Sequence, residues 1–159
     1  MSSLVSPRAL AAVVLLLAVG AAGFSGYHAH RADELADART EALAAARERV
    51  PELLSYDDVT LEEDLADAVA QTTGDFASDY ATILEDVVEP QARKRAISTR
   101  TEVGAAGVVS GAPDRVVVLL FLTQTTTTGK SGTSVAGSRV EVTMEHDGDE
   151  WKVAGLEPL

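Results

Sequence analysis

The chain of 159 residues carries 13 Lys and Arg against 25 Asp and Glu, which gives a formal net charge of −12, and it contains no cysteine. This length allows one ordinary domain with an appendage, and it is too short for two domains with separate cores. The acidic balance argues against a nucleic-acid partner, because binding to phosphates needs clustered Lys and Arg. The lack of cysteine excludes a disulfide scaffold, a zinc-finger-like site and thiol chemistry.

An uncharged stretch near the N-terminus predicts a membrane anchor. Residues 9–27 contain no Asp, Glu, Lys or Arg and are mostly aliphatic, and a helix of this length spans about 28 Å, close to the hydrocarbon thickness of a bilayer. The alternative is a cleaved signal peptide, with Arg8 as its basic region and residues 20–22 as its cleavage site. We favour the uncleaved anchor because the apolar stretch continues past that site. Residues 1–8 then form a cytoplasmic tail, and residues 9–27 contact plasma-membrane lipid.

A helix rich in Ala, Glu, Asp and Arg is predicted over residues 32–54. Its apolar positions form a narrow stripe along one face, namely Leu35, Ala42, Ala46 and Leu53. We interpret residues 28–54 as a solvated helical stalk between the anchor and the domain. The alternative is a coiled-coil seam, although alanine at the core positions buries little surface. A homo-oligomer formed through the anchor or the stalk therefore stays open.

Two further helices are predicted at the start of the domain, which spans residues 55–159. The first begins at Thr60, which has capping-box spacing with Glu63, and it ends near Gly74. The second runs from Asp75, and its apolar residues recur at helical spacing, so we expect them to pack on a sheet. These residues are Phe76, Tyr80, Ile83, Leu84 and Val87.

A short basic helix is predicted after Pro90 interrupts the preceding one. Residues 91–97 carry the triplet Arg93, Lys94 and Arg95, which stands out in an acidic domain. The ordinary role of such a triplet is a solvated helix end that complements the helix dipole. The alternative is a docking site for lipid headgroups or for an acidic partner.

After residue 100 the hydrophobic pattern changes from helical to extended. The predicted strands cover residues 100–110, 115–127, 139–146 and 150–156. Gly104 and Gly107 predict a bend or bulge in the first strand. The second strand is apolar on both faces, which predicts a central strand covered on both sides, and residues 129–138 are predicted to form a flexible loop. Helices followed by an antiparallel meander indicate an α+β fold.

No group of residues in the sequence points to catalysis or to metal binding. Gly129-Lys130-Ser131 is similar to the end of a phosphate-binding loop, but Gln124 stands where that loop requires a glycine. His146 lies alone at a strand end, and no pair of histidines in the domain has metal-ligand spacing. No Ser and His arrangement suggests a triad. We therefore predict a non-enzyme with no catalytic, cofactor-binding or metal-binding residues and no cofactor.

Several short strings, in a fixed order and spacing, carry a resemblance to a known family. They are LSYD (54–57), LEEDL (61–65), TGDF (73–76), DY (79–80), GVV (107–109), VVVLLF (116–121), QTTT (124–127), RV (139–140) and WKVAGLEPL (151–159). Together they resemble the actinobacterial Mce-associated membrane proteins, where Mce stands for mammalian cell entry. The resemblance covers roughly residues 50–159 as motifs, and the anchor with the stalk as architecture.

The resemblance implies a single-pass protein of an actinobacterial plasma membrane, with its N-terminus inside and its C-terminal domain extracytoplasmic. Members of the family are thought to support Mce complexes, which move lipids or sterols across the envelope with an ATP-driven permease. The domain is expected to form the nuclear transport factor 2-like or cystatin-like roll that assembly factors of type IV secretion also use. The family has no established catalytic motif, so no site residue is implied.

Three functional hypotheses follow. The leading one is a non-enzymatic accessory or scaffold protein whose roll binds Mce-complex subunits and the permease. The second is a lipid or sterol carrier tethered to the outer face of the plasma membrane, with Val, Leu and Phe lining an apolar pocket. The third is an isomerase-like enzyme, which we disfavour because the fold alone does not imply activity and the sequence shows no candidate buried acid.

Overall fold

The computed structural model describes residues 33–129 and 132–159 of the chain. The predicted tail (1–8) and anchor (9–27) lie outside the described residues. Within the described residues, no helix is long and apolar enough to cross a membrane. Asp37–Leu159 forms one compact unit, and the contacts described below lie within it.

The helices come first in the chain, as predicted. They are α1 over residues 33–53, α2 over Leu61–Ala70, α3 over Gly74–Ile83, a π-helical turn over Leu84–Val88 and α4 over Glu89–Arg95. Pro90 does not interrupt the helical path, which runs without a break from Gly74 to Arg95, and it lies at the start of α4 directly after the π-helical turn. Gly74 does not end α2, which stops at Ala70, and instead it begins α3.

The start of α2 uses a different residue from the one that the capping-box spacing predicts. Thr60 is the N-cap, but its side chain makes no capping hydrogen bond to the backbone. Its hydroxyl instead donates to a carboxylate oxygen of Asp64 at 2.8 Å, and the same oxygen accepts the backbone N–H of Asp57 at 2.7 Å. Asp64, and not Glu63, therefore holds the turn before α2.

A four-stranded antiparallel sheet follows the helices, with the strands in the order β1-β2-β3-β4. The strands are β1 over Ile97–Gly111, β2 over Arg115–Thr128, β3 over Gly132–Asp147 and β4 over Glu150–Pro158. The predicted meander is confirmed. The bulge expected at Gly104 is also confirmed, whereas the second irregularity of β1 lies at Val109 and not at Gly107.

Helix α1 packs against one face of this sheet. Ala42, Ala46 and Val50 on the helix are completely buried in one cluster with Leu120 and Met144 on the strands. Alanine is small, so the helix backbone approaches the sheet closely and the short side chains still fill the space. The structure therefore differs from the interpretation of residues 28–54 as a solvated stalk, because α1 is part of the domain core from Ala38 onward.

Among the described residues, helices cover only one face of the sheet, so the expectation that β2 is covered on both sides is wrong. Val116, Val118 and Leu120 point to the core and are fully buried, while 47% of Phe121 is exposed. Strand β2 is central, as predicted, because it pairs with both β1 and β3. A continuous apolar run indicates that a strand lies in the interior of a sheet, but it does not indicate whether one or both faces of that sheet are covered.

The predicted apolar face of the third helix is only partly buried, and a π-helical turn begins within it at Leu84. Leu84 is buried in a second cluster with residues of α2 and α4, but Ile83 and Val87 are exposed. A π turn inserts one extra residue into the helix. Side chains on either side of the turn that have α-helical spacing in the sequence therefore no longer share one face.

Candidate functional site

The predicted basic triplet lies at the C-terminal end of α4 and divides into two parts. Arg93 forms ion pairs with Glu89 at 2.8 Å and with Glu62 at 3.6 Å, so it links α4 to α2. The hydrogen bond with Glu89 raises the pKa of the Arg93 guanidinium above its usual value. Lys94 and Arg95 are exposed, and neither forms an ion pair with another residue of the described ranges.

The end of α4 contacts the turn between β2 and β3. Ala96 has a left-handed backbone (φ 47°) and ends the helix, and its carbonyl accepts the backbone N–H of Gly129 at 2.8 Å. A Cβ at Gly129, where φ is +34°, would lie 3.2 Å from the carbonyl oxygen of Arg95. The fold thus brings the basic triplet and the start of the predicted 129–138 loop to one end of the sheet.

Most of the predicted 129–138 loop is strand, and this prediction is therefore wrong. Strand β3 begins at Gly132, and its register with β2 runs without a break from Gly132 opposite Thr128 to Glu145 opposite Arg115. The Gly, Ser and Thr residues of this segment are typical of loops. They nevertheless form a strand here, because their backbone pairs with the threonine-rich end of β2 and their side chains are exposed to solvent. Every residue from Gly132 to Arg139 is exposed.

An open polar cleft of about 880 Å³ lies between the segment 52–71 and strands β1 and β2. Carboxylates, hydroxyls and one guanidinium supply most of its lining. The lining residues are Glu52, Ser55, Tyr56, Asp57, Thr60, Asp64, Asp67, Gln71, Ser98, Thr99, Arg100, Thr125 and Thr127. The four carboxylates among these residues suit a polar or cationic ligand.

Carboxylates in and beside the cleft hold the chain together locally. Asp64 holds the turn before α2, and Asp58 accepts the hydroxyl of Ser98 on β1 at 3.0 Å while its own N–H donates to that hydroxyl oxygen. Among the residues that the structure describes, no group of three or more His, Asp or Glu side chains could hold a metal ion. The arrangement explains how segment 57–64 is fixed to the sheet, and it identifies no catalytic group.

The sheet face opposite α1 presents apolar side chains to solvent. Phe121 lies between Ala105 on β1 and Arg139 on β3, and Leu119 and Val117 continue the row along β2 as half-buried side chains. Contiguous apolar side chains on the surface of a protein are often part of an interaction surface. Sequence reasoning missed it because it assigned a second covering layer to β2.

Comparison with known proteins gives a family and a fold. Residues 5–158 match the model of the family described as "Uncharacterized protein Rv1363c/MT1408-like". One relative, the outer membrane protein Rv1973 of Mycobacterium tuberculosis, is 40% identical over 126 residues, which cover 79% of this chain and 79% of that protein.

Two solved structures from type IV secretion systems share the architecture. An IcmL-like protein of Legionella pneumophila has a TM-score of 0.66 at 10% identity, covering 76% of this chain and 91% of the other. VirB8 of Agrobacterium tumefaciens has a TM-score of 0.54 at 13% identity, covering 77% and 92%. These likenesses show the fold alone, and they confirm helices packed on an antiparallel sheet of this type. By sequence, the chain belongs to the Rv1363c/MT1408-like family.

Proposed function

We propose that this protein is a non-enzymatic accessory protein of the cell envelope that scaffolds a lipid or sterol transport complex of the Mce type. In this proposal the anchor predicted at residues 9–27 holds the domain on the outer side of the plasma membrane. The domain binds subunits of the complex and its permease. The name of the relative Rv1973, an outer membrane protein, supports a place in the envelope, as does the likeness to secretion-system proteins.

The observation that carries the proposal is the open apolar face of the sheet. Phe121, with 47% of its surface exposed, and the half-buried Leu119 and Val117 form a row with no covering layer among the described residues. Protein interfaces are enriched in aromatic side chains at their centres, with charged residues at the rim. Arg139, directly opposite Phe121, and Glu141, opposite Leu119, supply such charges.

The position of α1 weighs against the alternative of a lipid carrier. Such a carrier needs an apolar cavity between the helices and the sheet, but Ala42, Ala46 and Val50 fill this space and are completely buried. Four carboxylates line the cleft of about 880 Å³, and burying them against a lipid tail would be costly. The geometry therefore favours a protein-binding role over lipid binding.

A pull-down from native membranes tests the proposal. Tagged full-length protein is extracted in mild detergent, and its companions are identified by mass spectrometry. We expect Mce subunits and the permease at comparable stoichiometry. The variant Phe121→Ser should lose most of this material, whereas Val59→Ser, at a side chain that is 85% exposed in a turn, should retain it.

Two results would contradict the proposal. A protein that arrives alone, or with bound lipid only, would argue for the carrier. Equal recovery of companions by the Phe121→Ser and wild-type proteins would remove the sheet face as the binding surface.

A further inference from the structure

Within the part of the chain that the structure describes, strand β3 has a free edge over its first half. The register between β3 and β4 begins with Val140 opposite Pro158, and the last bond of the ladder runs from the Leu159 N–H to the Arg139 carbonyl at 3.0 Å. Segment Gly132–Ser138, which we name the β3 edge, pairs with β2 on one side. On its other side, no residue of the described ranges pairs with it.

The backbone groups that point to this free side can be identified. In an antiparallel strand the N–H and C=O of one residue point to the same side, and the side alternates along the strand. The carbonyl of Arg139 points toward β4. The N–H and C=O groups of Gly137, Val135 and Thr133 therefore point to the free side, while the residues between them bond to β2.

The other sheet edges carry protection that the β3 edge lacks. At the outer edge of β1, Thr99 exchanges two backbone hydrogen bonds with Tyr56, and bulges follow farther along the strand. At the outer edge of β4, Val153 bonds to Gln71 and Thr73. The β3 edge contains no proline, no charged residue and no register shift. Proteins use these devices to keep edge strands from pairing, so their absence here leaves the edge able to pair.

We propose that the β3 edge pairs in antiparallel orientation with the same segment of a second copy of this chain, around a two-fold axis at Val135. Thr133 and Gly137 lie symmetrically about Val135, so Thr133 of each copy meets Gly137 of the other. The three residues of each copy then form about six backbone hydrogen bonds. The Val135 side chains, each 67% exposed in one copy, contact each other at the axis.

The distribution of charge favours a second copy at this edge. The chain carries a net charge of −12, yet none of its 25 acidic residues lies between Arg115 and Val140. The segments Gly132–Ser138 of two copies can therefore pair without placing an acidic side chain of one segment against one of the other. The pairing is independent of the transport complex proposed above.

Disulfide trapping of the full-length protein tests this pairing. The chain has no cysteine, so Val135→Cys introduces the sole thiol. In a hydrogen-bonded antiparallel pair the two Cα atoms lie about 5.5 Å apart, which is within the range that a disulfide spans. In mild detergent with a copper–phenanthroline oxidant, we expect at least ~5-fold more disulfide-linked dimer from V135C than from V59C. Val59 is 85% exposed, so V59C measures random collisions.

A second pair of variants separates strand pairing from simple proximity. Adding Gly137→Pro to V135C removes an N–H that faces the free edge and leaves the bonds to β2 intact, so the dimer yield should fall to that of V59C. Adding Gly137→Ala keeps the N–H and should preserve the yield. Equal yields from V135C and V59C, or a yield that Gly137→Pro does not change, would overturn the proposal. Trapping of a different protein by V135C in native membranes would overturn it as well.

Discussion

The indole Nε1 of Trp151 on β4 donates a hydrogen bond to a carboxylate oxygen of Glu41 on α1, with 3.3 Å between the two atoms. Trp151 is buried in the same cluster as Ala42, Ala46 and Val50 of that helix. The bond joins the first helix to the last strand across 110 residues of sequence. Helix α1 is therefore held to the sheet by a polar contact as well as by apolar packing.

This packing predicts that α1 tolerates larger residues on one face only. Ala46 is completely buried against the sheet, so Ala46→Leu should lower the free energy of unfolding by about 1–3 kcal/mol through overpacking. Ala44 lies on the exposed face of the same helix, and Ala44→Leu should change stability by less than about 0.5 kcal/mol. Urea unfolding followed by the fluorescence of the single tryptophan measures both. Equal stability of the two variants would indicate that α1 is a solvated stalk and is not packed on the sheet.

Most of the fold could be predicted because its elements have clear periodicity. The alternation of Val140, Val142 and Met144 predicts the inward face of β3, and these residues are buried. The predicted stripe on α1 includes Ala42 and Ala46, which are buried as well. The pattern did not predict the surface against which this stripe packs. Alanine buries little area, so a narrow alanine stripe is compatible with a stalk, a coiled coil or a domain core.

The two candidate surfaces were harder to predict, because each is defined by the lack of a covering layer or a pairing strand among the described residues. The apolar row that ends at Phe121 has the same sequence pattern as a strand covered on both faces, and only tertiary structure shows that one face is open. The β3 edge has a loop-like composition, so only its register with β2 shows that it is a strand with unpaired backbone groups on its other side. Both surfaces are defined by a layer or a strand that the described residues do not supply, and such an absence leaves no periodic signal in the sequence.

The turn before α2 predicts a difference between two neighbouring aspartates that both line the polar cleft. Asp64 accepts hydrogen bonds from the Asp57 N–H and the Thr60 hydroxyl, so Asp64→Ala should lower stability by about 1–2 kcal/mol. Asp67 is exposed, and Asp67→Ala should be nearly neutral. Urea midpoints at neutral pH compare the two variants. A neutral Asp64→Ala would mean that the turn is held by backbone contacts alone.

The contact between α4 and the β2–β3 turn predicts that Gly129 cannot be replaced without cost. Its φ is +34°, and an added Cβ would approach the Arg95 carbonyl oxygen to 3.2 Å, so Gly129→Ala should cost about 1–2 kcal/mol. Gly107 has ordinary backbone angles and open space around it, which makes Gly107→Ala the matched control with no expected loss. Thermal unfolding of both variants provides the measurement, and equal melting temperatures would contradict the prediction.

Tyr80 predicts a loss of stability at alkaline pH. Its hydroxyl donates a hydrogen bond to the carbonyl of Leu53 at 2.6 Å. Burial, with a smaller contribution from Tyr56, raises the pKa of Tyr80 from 10.0 to about 12. Between these two values the folded protein retains the proton while the unfolded chain loses it. The stabilisation is therefore complete below pH 10 and falls as the pH rises toward 12, by up to about 3 kcal/mol.

Urea unfolding of the wild type and of Tyr80→Phe between pH 8 and 12 measures this contribution. At neutral pH the variant should lose about 1–2 kcal/mol, because the Leu53 carbonyl loses its donor. Above pH 10 its stability should fall less steeply than that of the wild type, since other titrating groups are common to both proteins. Tyr56→Phe should keep most of the wild-type slope, because burial is the larger cause of the raised pKa of Tyr80. Parallel curves for wild type and Tyr80→Phe would show that the hydroxyl of Tyr80 titrates normally in the folded protein.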